Sequence, residues 1–82
     1  MEQITIKAAD CLSMNLKKLR ELNDLSLVDL GKITGLSKQS IWNFENGERF
    51  PSSDALALLA KAFKIEETDF FNPNLFNKNK LK

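Results

Sequence analysis

Two short helical patterns lie in the middle of the chain, with a turn of only a few residues between them. Ser26 predicts the start of the first helix, because its hydroxyl can cap a free backbone N–H, and Gly35 predicts its end in the left-handed conformation. Ser37 predicts the start of the second helix, which Asn46-Gly47 ends. Helices this short gain most of their stability from packing. This segment therefore predicts a small helical domain.

Apolar residues at helical spacing predict further helices on both sides of this pair. The predicted helices cover residues 10–23 or 13–23, 26–33, 37–45, 51–64 and 66–71. The predicted inward residues are Leu12, Leu16, Leu19 and then Leu22 or Asn23; Leu27 or Val28, Leu30 and Ile33; Ile41 and Phe44; Ala55, Leu56, Leu59, Ala60 and Phe63. We therefore predict an all-α fold of four to five helices.

The ends of the chain differ from this helical centre. Ile4 and Ile6 alternate with polar residues, so residues 1–10 are predicted to form an N-terminal arm or a short strand. Residues 11–71 form the predicted domain, and residues 72–82 form a basic tail rich in Asn and Lys. The N-terminus lacks the pattern of a secretory signal and no stretch is long enough to span a membrane, so we expect a cytoplasmic protein.

Composition argues against an enzyme. The 82 residues include no histidine, and the three glycines (Gly31, Gly35 and Gly47) are too far apart to form a phosphate-binding loop. The single cysteine, Cys11, cannot form an internal disulfide, and without histidine it cannot build a zinc site. We expect neither a metal nor a cofactor, and we interpret Cys11 as a small apolar residue at a helix start.

The second helix of the central pair carries the residues that point to function. Two short helices joined by a tight turn containing Gly have the helix-turn-helix layout. If Ile41 and Phe44 face inward, the outward face carries Lys38, Gln39, Trp42 and Asn43. Amide groups can pair with the adenine edge and Lys can donate to guanine, so this face favours the reading of DNA bases.

The pattern resembles the Cro/repressor-type helix-turn-helix family, the phage-repressor-like regulators that are also called the xenobiotic-response-element family. The resemblance runs from about Leu12 to Phe71 and rests on Leu25-Ser26, Gly35-Leu36-Ser37, Ser40-Ile41, Phe44-Glu45-Asn46-Gly47, Pro51-Ser52, Leu56, Leu59-Ala60-Lys61-Ala62-Phe63 and Ile65. It implies the four- to five-helix phage-repressor-like fold.

The resemblance also implies roles for individual residues. Residues 37–45 would form the recognition helix in the major groove of double-stranded DNA. Base reading would fall to Ser37, Lys38, Gln39 and Asn43, and phosphate contacts to Arg20, Ser26, Trp42, Asn46 and Arg49. Arg20 and Glu45 match a pair that forms an ion pair between the first and third helices of this family.

Three positions depart from the family pattern. Leu27 stands where a phosphate-binding Gln is common, Gly31 where Ala is usual, and Glu48 where a basic residue is common. Either one phosphate anchor is missing or Leu27 packs on a neighbour. Together with the net charge of +1, these departures predict weak non-specific DNA affinity.

One recognition helix covers few base pairs, so the sequence predicts a homodimer that binds an operator, most simply as a transcriptional repressor. Phe71, Leu75 and Phe76 are the predicted dimerisation residues, with the Ile4/Ile6 segment as another candidate, whereas Phe70 fits ordinary core packing. The alternative is an antitoxin or other protein-interaction module on the same fold, which would bind a protein partner through Trp42 and the C-terminal aromatic residues.

Overall fold

The computed structural model describes residues 8–76, and the side chains from residue 10 onwards. Within that part of the chain every regular element is helical, so the predicted all-α class is confirmed. The elements are α1 (Ala8–Leu22), α2 (Leu27–Thr34), α3 (Lys38–Glu45), α4 (Ser53–Phe63) and a C-terminal 3₁₀ helix (Glu67–Phe71). None of these helices has the length and apolar character needed to cross a membrane.

Helix α1 begins at Ala8, so residues 8–10 belong to a helix and not to the arm or strand that the sequence predicted for residues 1–10. Ile4 and Ile6 lie outside the described residues, as do the tail lysines Lys78, Lys80 and Lys82.

Local side-chain caps fix both ends of α2. The backbone N–H of Asp29 donates to Ser26 Oγ (2.9 Å), and the Ser26 N–H donates to Asp29 Oδ2 (2.9 Å), which completes a capping box. Gly35 closes the helix with φ 84°, and its N–H donates to the Gly31 carbonyl (2.7 Å). The turn between α2 and α3 is therefore determined by residues within it.

The same device starts the next two helices. Ser37 Oγ accepts from the Ser40 N–H (3.0 Å), and Ser52 Oγ accepts from the Ala55 N–H (3.1 Å). Helix α4 ends at Lys64, which adopts a left-handed conformation (φ 59°) that is more often occupied by glycine.

The core forms where the inner faces of all five elements meet. Its fully or almost fully buried members are Leu12, Leu16, Leu30, Ile41, Phe44, Ala55, Leu59, Ala60 and Phe70. Leu27 is partly buried and packs against this cluster, which was one of the two alternatives predicted for it. Val28, in contrast, is exposed. Leu22 is 62% exposed and does not continue the inner face of α1.

The prediction for Ile33 was wrong. Its side chain was expected to face the core, but it is 57% exposed. Thr34 is buried in its place, and its hydroxyl donates to the Leu30 carbonyl (2.8 Å) while accepting from the Leu36 N–H (3.2 Å). A buried hydroxyl is tolerated there because both of its hydrogen-bonding capacities are used.

A buried asparagine fastens the C-terminal segment to α1. Asn15 Nδ2 donates to the carbonyls of Phe70 (2.9 Å) and Asn72 (3.0 Å), and it also lies 3.5 Å from Cys11 Sγ. These contacts hold the end of the 3₁₀ helix and the residue that follows it, Asn72, against α1. Cys11 itself is buried in the first turn of α1, in agreement with its interpretation as a small apolar residue at a helix start.

Gly31→Ala is expected to destabilise the domain, although alanine favours helix by about 1 kcal/mol over glycine. A Cβ at Gly31 would lie 2.8 Å from the Leu36 carbonyl oxygen. Because this atom belongs to the backbone of the turn, the turn must shift, and such overpacking costs about 1–3 kcal/mol. We expect a net loss of about 1 kcal/mol in the free energy of unfolding, measured by urea denaturation.

The matched control is Val28→Ala, an exposed substitution on the same helix, which should change stability by less than about 0.5 kcal/mol. A Gly31→Ala variant that is more stable than the wild type would show that the turn accommodates the methyl group.

The α2 capping box should also make stability depend on pH. Hydrogen bonds from the Ser26 backbone and side chain lower the pKa of Asp29 below its ordinary value of 3.8. A depressed folded-state pKa contributes stability that is fully present above 3.8 and is lost as the pH falls through the folded-state value. The difference in unfolding free energy between wild type and Asp29→Asn should therefore exist at neutral pH and disappear in acid.

Asp54→Asn, which removes an equal charge from the exposed first turn of α4, is the control for net charge. If the difference in unfolding free energy between wild type and Asp29→Asn persisted in strong acid, the capping-box explanation would be contradicted.

Candidate nucleic-acid interface

Helix α3 divides into a buried and an exposed face. Ile41 (0% exposed) and Phe44 (6%) point into the core. Lys38, Gln39 and Trp42 are exposed, with Trp42 at 42%, and Asn43 is half-buried at the edge of the same face. The outer surface of α3 therefore presents one ammonium group, two amides and an indole to a partner.

An ion pair holds the C-terminal end of α3 against α1. Arg20 Nε donates to Glu45 Oε2 (2.7 Å) and Arg20 Nη2 donates to Glu45 Oε1 (3.0 Å), which is a bidentate contact. Arg20 Nη1 also donates to the Leu25 carbonyl (2.8 Å), so the guanidinium joins α1, the loop after it, and α3. The side chains are only 14% and 4% exposed, respectively.

Glu45 stabilises the charged form of its partner. The hydrogen bond to Glu45 raises the pKa of Arg20 above its ordinary value, against the opposing effect of burial. Three of the five N–H groups of Arg20 donate within the protein, which makes it chiefly a residue that positions α3.

A second contact between α1 and α3 was missed by sequence reasoning. Ser13 Oγ donates to the Phe44 carbonyl (2.7 Å), which also accepts from the Gly47 N–H (3.5 Å) at the end of α3. The sequence carries no signal for it, since a serine near the start of a helix is equally compatible with an exposed position. With Arg20, it fixes α3 at two points.

The two outward-facing amides of α3 contact each other. Gln39 Nε2 donates to Asn43 Oδ1 (3.1 Å), one helical turn away. The Ser37 hydroxyl, in contrast, is engaged in the cap, since it accepts from the Ser40 N–H and donates to Ser40 Oγ (2.9 Å). Any contact that Ser37 makes to a base must therefore be compatible with its role as N-cap.

The loop after α3 folds back onto the end of that helix. Asn46 Nδ2 donates to the Trp42 carbonyl (2.8 Å), and the Asn43 carbonyl accepts from the N–H groups of Glu48 (2.9 Å) and Arg49 (3.3 Å). Glu48 and Arg49 are both exposed, so an acid and a cation stand side by side in the loop that follows α3. Ser26 is exposed at the N-terminus of α2.

The predicted dimerisation residues lie at the C-terminal end of the described chain, in and after the 3₁₀ helix. Phe71 is half-buried and stacks on Phe50, with ring centroids 6.1 Å apart. Leu75 and Phe76 are half-buried, and Lys18 Nζ lies 5.7 Å from the centroid of the Phe76 ring. Phe70 is completely buried, in agreement with its assignment to the core.

The described residues contain no group of His, Cys, Asp and Glu side chains that could hold a metal ion.

Comparison with known proteins agrees with this geometry. The family model described as Helix-turn-helix matches residues 16–70, which span the second half of α1 through the 3₁₀ helix. This chain belongs to the Cro/repressor-type helix-turn-helix family. The family consists of DNA-binding regulators, and α2 and α3 of this chain are its helix-turn-helix.

A curated relative is Antitoxin PezA of Streptococcus pneumoniae serotype 4 (strain ATCC BAA-334 / TIGR4). It is 28% identical to this chain over 58 residues, which cover 71% of this chain and 37% of that protein. The chain thus matches little more than a third of the length of this relative.

Proposed function

We propose that this chain is a sequence-specific transcriptional regulator that reads the major groove with α3 and acts as a homodimeric repressor. The observation that carries the proposal is that α3 is fixed to α1 by the Arg20–Glu45 pair and by Ser13, while its outer face is left to amide and amine groups. A rigidly held helix with such a face suits base reading, since a reader must present its groups in a defined position.

The proposed contacts divide between bases and phosphates. Lys38 and Gln39 project from the first turn of α3, the part that meets base edges in this docking geometry, and Ser37 and Asn43 flank them. Ser26, Trp42, Asn46 and Arg49 border this face and are assigned to the sugar-phosphate backbone. Arg20, which was also predicted to contact phosphate, acts in this proposal mainly by holding α3.

The near-neutral charge limits how tightly DNA of any sequence is held. Phosphate neutralisation supplies most non-specific affinity, and Glu48 lies beside Arg49 at the border of the face. We therefore expect weak non-specific binding, so that base contacts and dimerisation carry a larger share of the operator affinity. Cytoplasmic location and the absence of enzymatic activity are part of the same proposal.

Two copies on half-sites one helical turn apart would supply the affinity that one α3 lacks. Phe71, Leu75 and Phe76 are proposed as the dimer surface because they are apolar and only half-buried. Sedimentation of wild type should then show a dimer, and Phe71→Ala should shift it toward monomer. Thr68→Ala, an exposed change on the same 3₁₀ helix, should leave the dimer intact.

The test of the regulator proposal is selection from a randomised DNA pool at two salt concentrations, followed by sequencing. Wild type should enrich a palindrome, with binding that falls steeply as salt rises. Gln39→Ala should abolish the enrichment, whereas Thr68→Ala should retain it. If wild type enriches no sequence at the lower salt, the regulator proposal fails.

A second candidate function is that of an antitoxin, or another module that binds a protein. It is supported by the likeness to Antitoxin PezA and by two exposed aromatic groups, Trp42 and Phe50, with Phe50 at 51% exposure. On this alternative, a protein retained by the wild type in a pull-down would also be retained by Gln39→Ala and lost by Trp42→Ala or Phe71→Ala.

A further inference from the structure

A buried side chain of α1 holds the backbone on both sides of one proposed dimerisation residue. Asn15 Nδ2 donates to the carbonyls of Phe70 (2.9 Å) and Asn72 (3.0 Å), the residues that precede and follow Phe71. Asn15 is only 6% exposed, and the two hydrogens of its amide group match the two carbonyls. The direction of both hydrogen bonds follows from the partners, because the amide oxygen could not accept from a carbonyl.

The residue that Asn15 binds also closes the turn after the 3₁₀ helix. The Asn72 carbonyl accepts from the Leu75 N–H (3.1 Å), and Asn72 Oδ1 accepts from the Asn74 N–H (2.9 Å). This turn carries Leu75 and Phe76. Asn15 thereby holds the backbone of the dimerisation segment (residues 71–76), which contains all three proposed dimerisation residues.

Helix α1 lies between the dimerisation segment and α3. Ser13 donates to the Phe44 carbonyl of α3 (2.7 Å), and Arg20 pairs with Glu45 at the end of the same helix. Successive residues of a helix are about 100° apart around its axis, so Ser13 and Arg20 lie on one side of α1 and Asn15 lies nearly opposite. One helix therefore connects α3, on one side, with the dimerisation segment on the other.

We propose, on the basis of the regulator function and the dimer surface proposed above, that Asn15 is a positioning residue for the dimer. It fixes the angle at which the dimerisation segment leaves α1, and thereby the distance and orientation between the two α3 helices. Each α3 must meet its own half-site, so the property that Asn15 determines is the half-site spacing that the protein accepts. Asn15 acts without touching DNA.

The experiment measures binding to the operator obtained by selection, and to duplexes whose two half-sites are two base pairs closer together or further apart. Such a change moves one half-site by about 7 Å and turns it by about 70° around the DNA axis. Wild type should bind the selected spacing about tenfold or more tighter than either altered spacing, because the second half-site contributes only if both copies can engage at once.

Asn15→Leu removes both donors and keeps a side chain of similar size. Its preference for the selected spacing should fall to about threefold or less, while its half-site sequence stays that of wild type. It should still sediment as a dimer, since the three dimerisation residues are unchanged.

Phe70→Leu is the matched control for lost stability. It weakens the packing of the same 3₁₀ helix but leaves Asn15 and its two acceptors in place, so it should keep the wild-type spacing preference. Circular dichroism checks that each variant is folded, and Asn15→Ala takes the place of Asn15→Leu if the leucine variant does not fold.

A spacing preference in Asn15→Leu equal to that of wild type would overturn the inference. A folded but monomeric Asn15→Leu, a loss of its half-site sequence, or an equal relaxation of spacing in Phe70→Leu would also overturn it, since each would assign Asn15 a merely structural role. Failure of both Asn15 variants to fold would have the same meaning. If wild type selects a half-site but accepts every spacing, this inference fails while base reading stands. If wild type enriches no sequence, the proposed function itself fails.

Discussion

Replacing Phe70 by alanine is expected to remove about 3–5 kcal/mol from the free energy of unfolding. Phe70 is 0% exposed and lies in the core cluster, where the 3₁₀ helix packs against α1 and α4. A chain of 82 residues has a total stability of about 4–12 kcal/mol, by the usual range per residue. The loss is a large fraction of that total, so the urea transition of the variant should move to a much lower concentration, and it should vanish if the wild type lies at the lower end of this range.

The neighbouring phenylalanine is the matched control. Phe71 is half-buried and stacks on Phe50, so Phe71→Ala should cost only about 1 kcal/mol in the monomer. Far-ultraviolet circular dichroism is the suitable signal, because the only tryptophan, Trp42, is 42% exposed and reports poorly on the core.

Phe70→Leu keeps the prediction testable if the alanine variant cannot be purified, since leucine leaves a smaller cavity than alanine and its loss of stability should be smaller. Equal losses for Phe70→Ala and Phe71→Ala would contradict the assignment of Phe70 to the core and of Phe71 to the surface.

Glu45→Ala is expected to lower the free energy of unfolding by about 3–5 kcal/mol. The substitution leaves the Arg20 guanidinium, whose side chain is 14% exposed, without its carboxylate partner. Arginine cannot escape this situation by losing its proton, because the guanidinium stays protonated in proteins. The charge must either remain uncompensated or pull α1 and α3 apart to reach water.

The double variant Arg20→Met/Glu45→Leu tests why Glu45→Ala loses stability. The loss can come from the unpaired charge left on Arg20, or from the removal of an ion pair that is itself stabilising. Replacing both partners by apolar side chains of similar size should restore stability to near the wild-type value, because the cost of desolvating two charges offsets most of their attraction. Glu48→Ala, an exposed acid in the loop after α3, should change stability by less than about 0.5 kcal/mol. A double variant as unstable as Glu45→Ala would show instead that the ion pair itself is strongly stabilising.

Much of the helix-turn-helix was predictable because its signals are local. Ser26, Gly35 and Ser37 set the ends of α2 and α3 through hydrogen bonds that span at most four residues. Periodicity correctly placed Ile41 and Phe44 inward, and hence identified the outer face of α3. The resemblance to the Cro/repressor-type family, confirmed over residues 16–70, came from these same positions.

The candidate site was less predictable, because its details depend on contacts between distant parts of the chain. Ser13 meets the Phe44 carbonyl across 31 positions, and Asn15 meets Phe70 and Asn72 across more than 50. Hydrophobic periodicity assigns such polar residues to the surface. It carries no information on which backbone carbonyls of another helix they can donate to. Helix geometry allowed a contact between Gln39 and Asn43, but only the packed helix shows its direction.

The sequence by itself determined the helical class, the ends of α2 and α3 to within a residue, most of the core and the outer face of α3, because capping and periodicity act within one or two turns. Only the tertiary structure decided that Thr34 and not Ile33 is buried, that Leu27 packs partly against the core, and that Gly31 leaves no room for a methyl group. Those outcomes depend on where the turn to α3 and the neighbouring helices come to lie against α2, and that position is fixed by the packing of the whole domain.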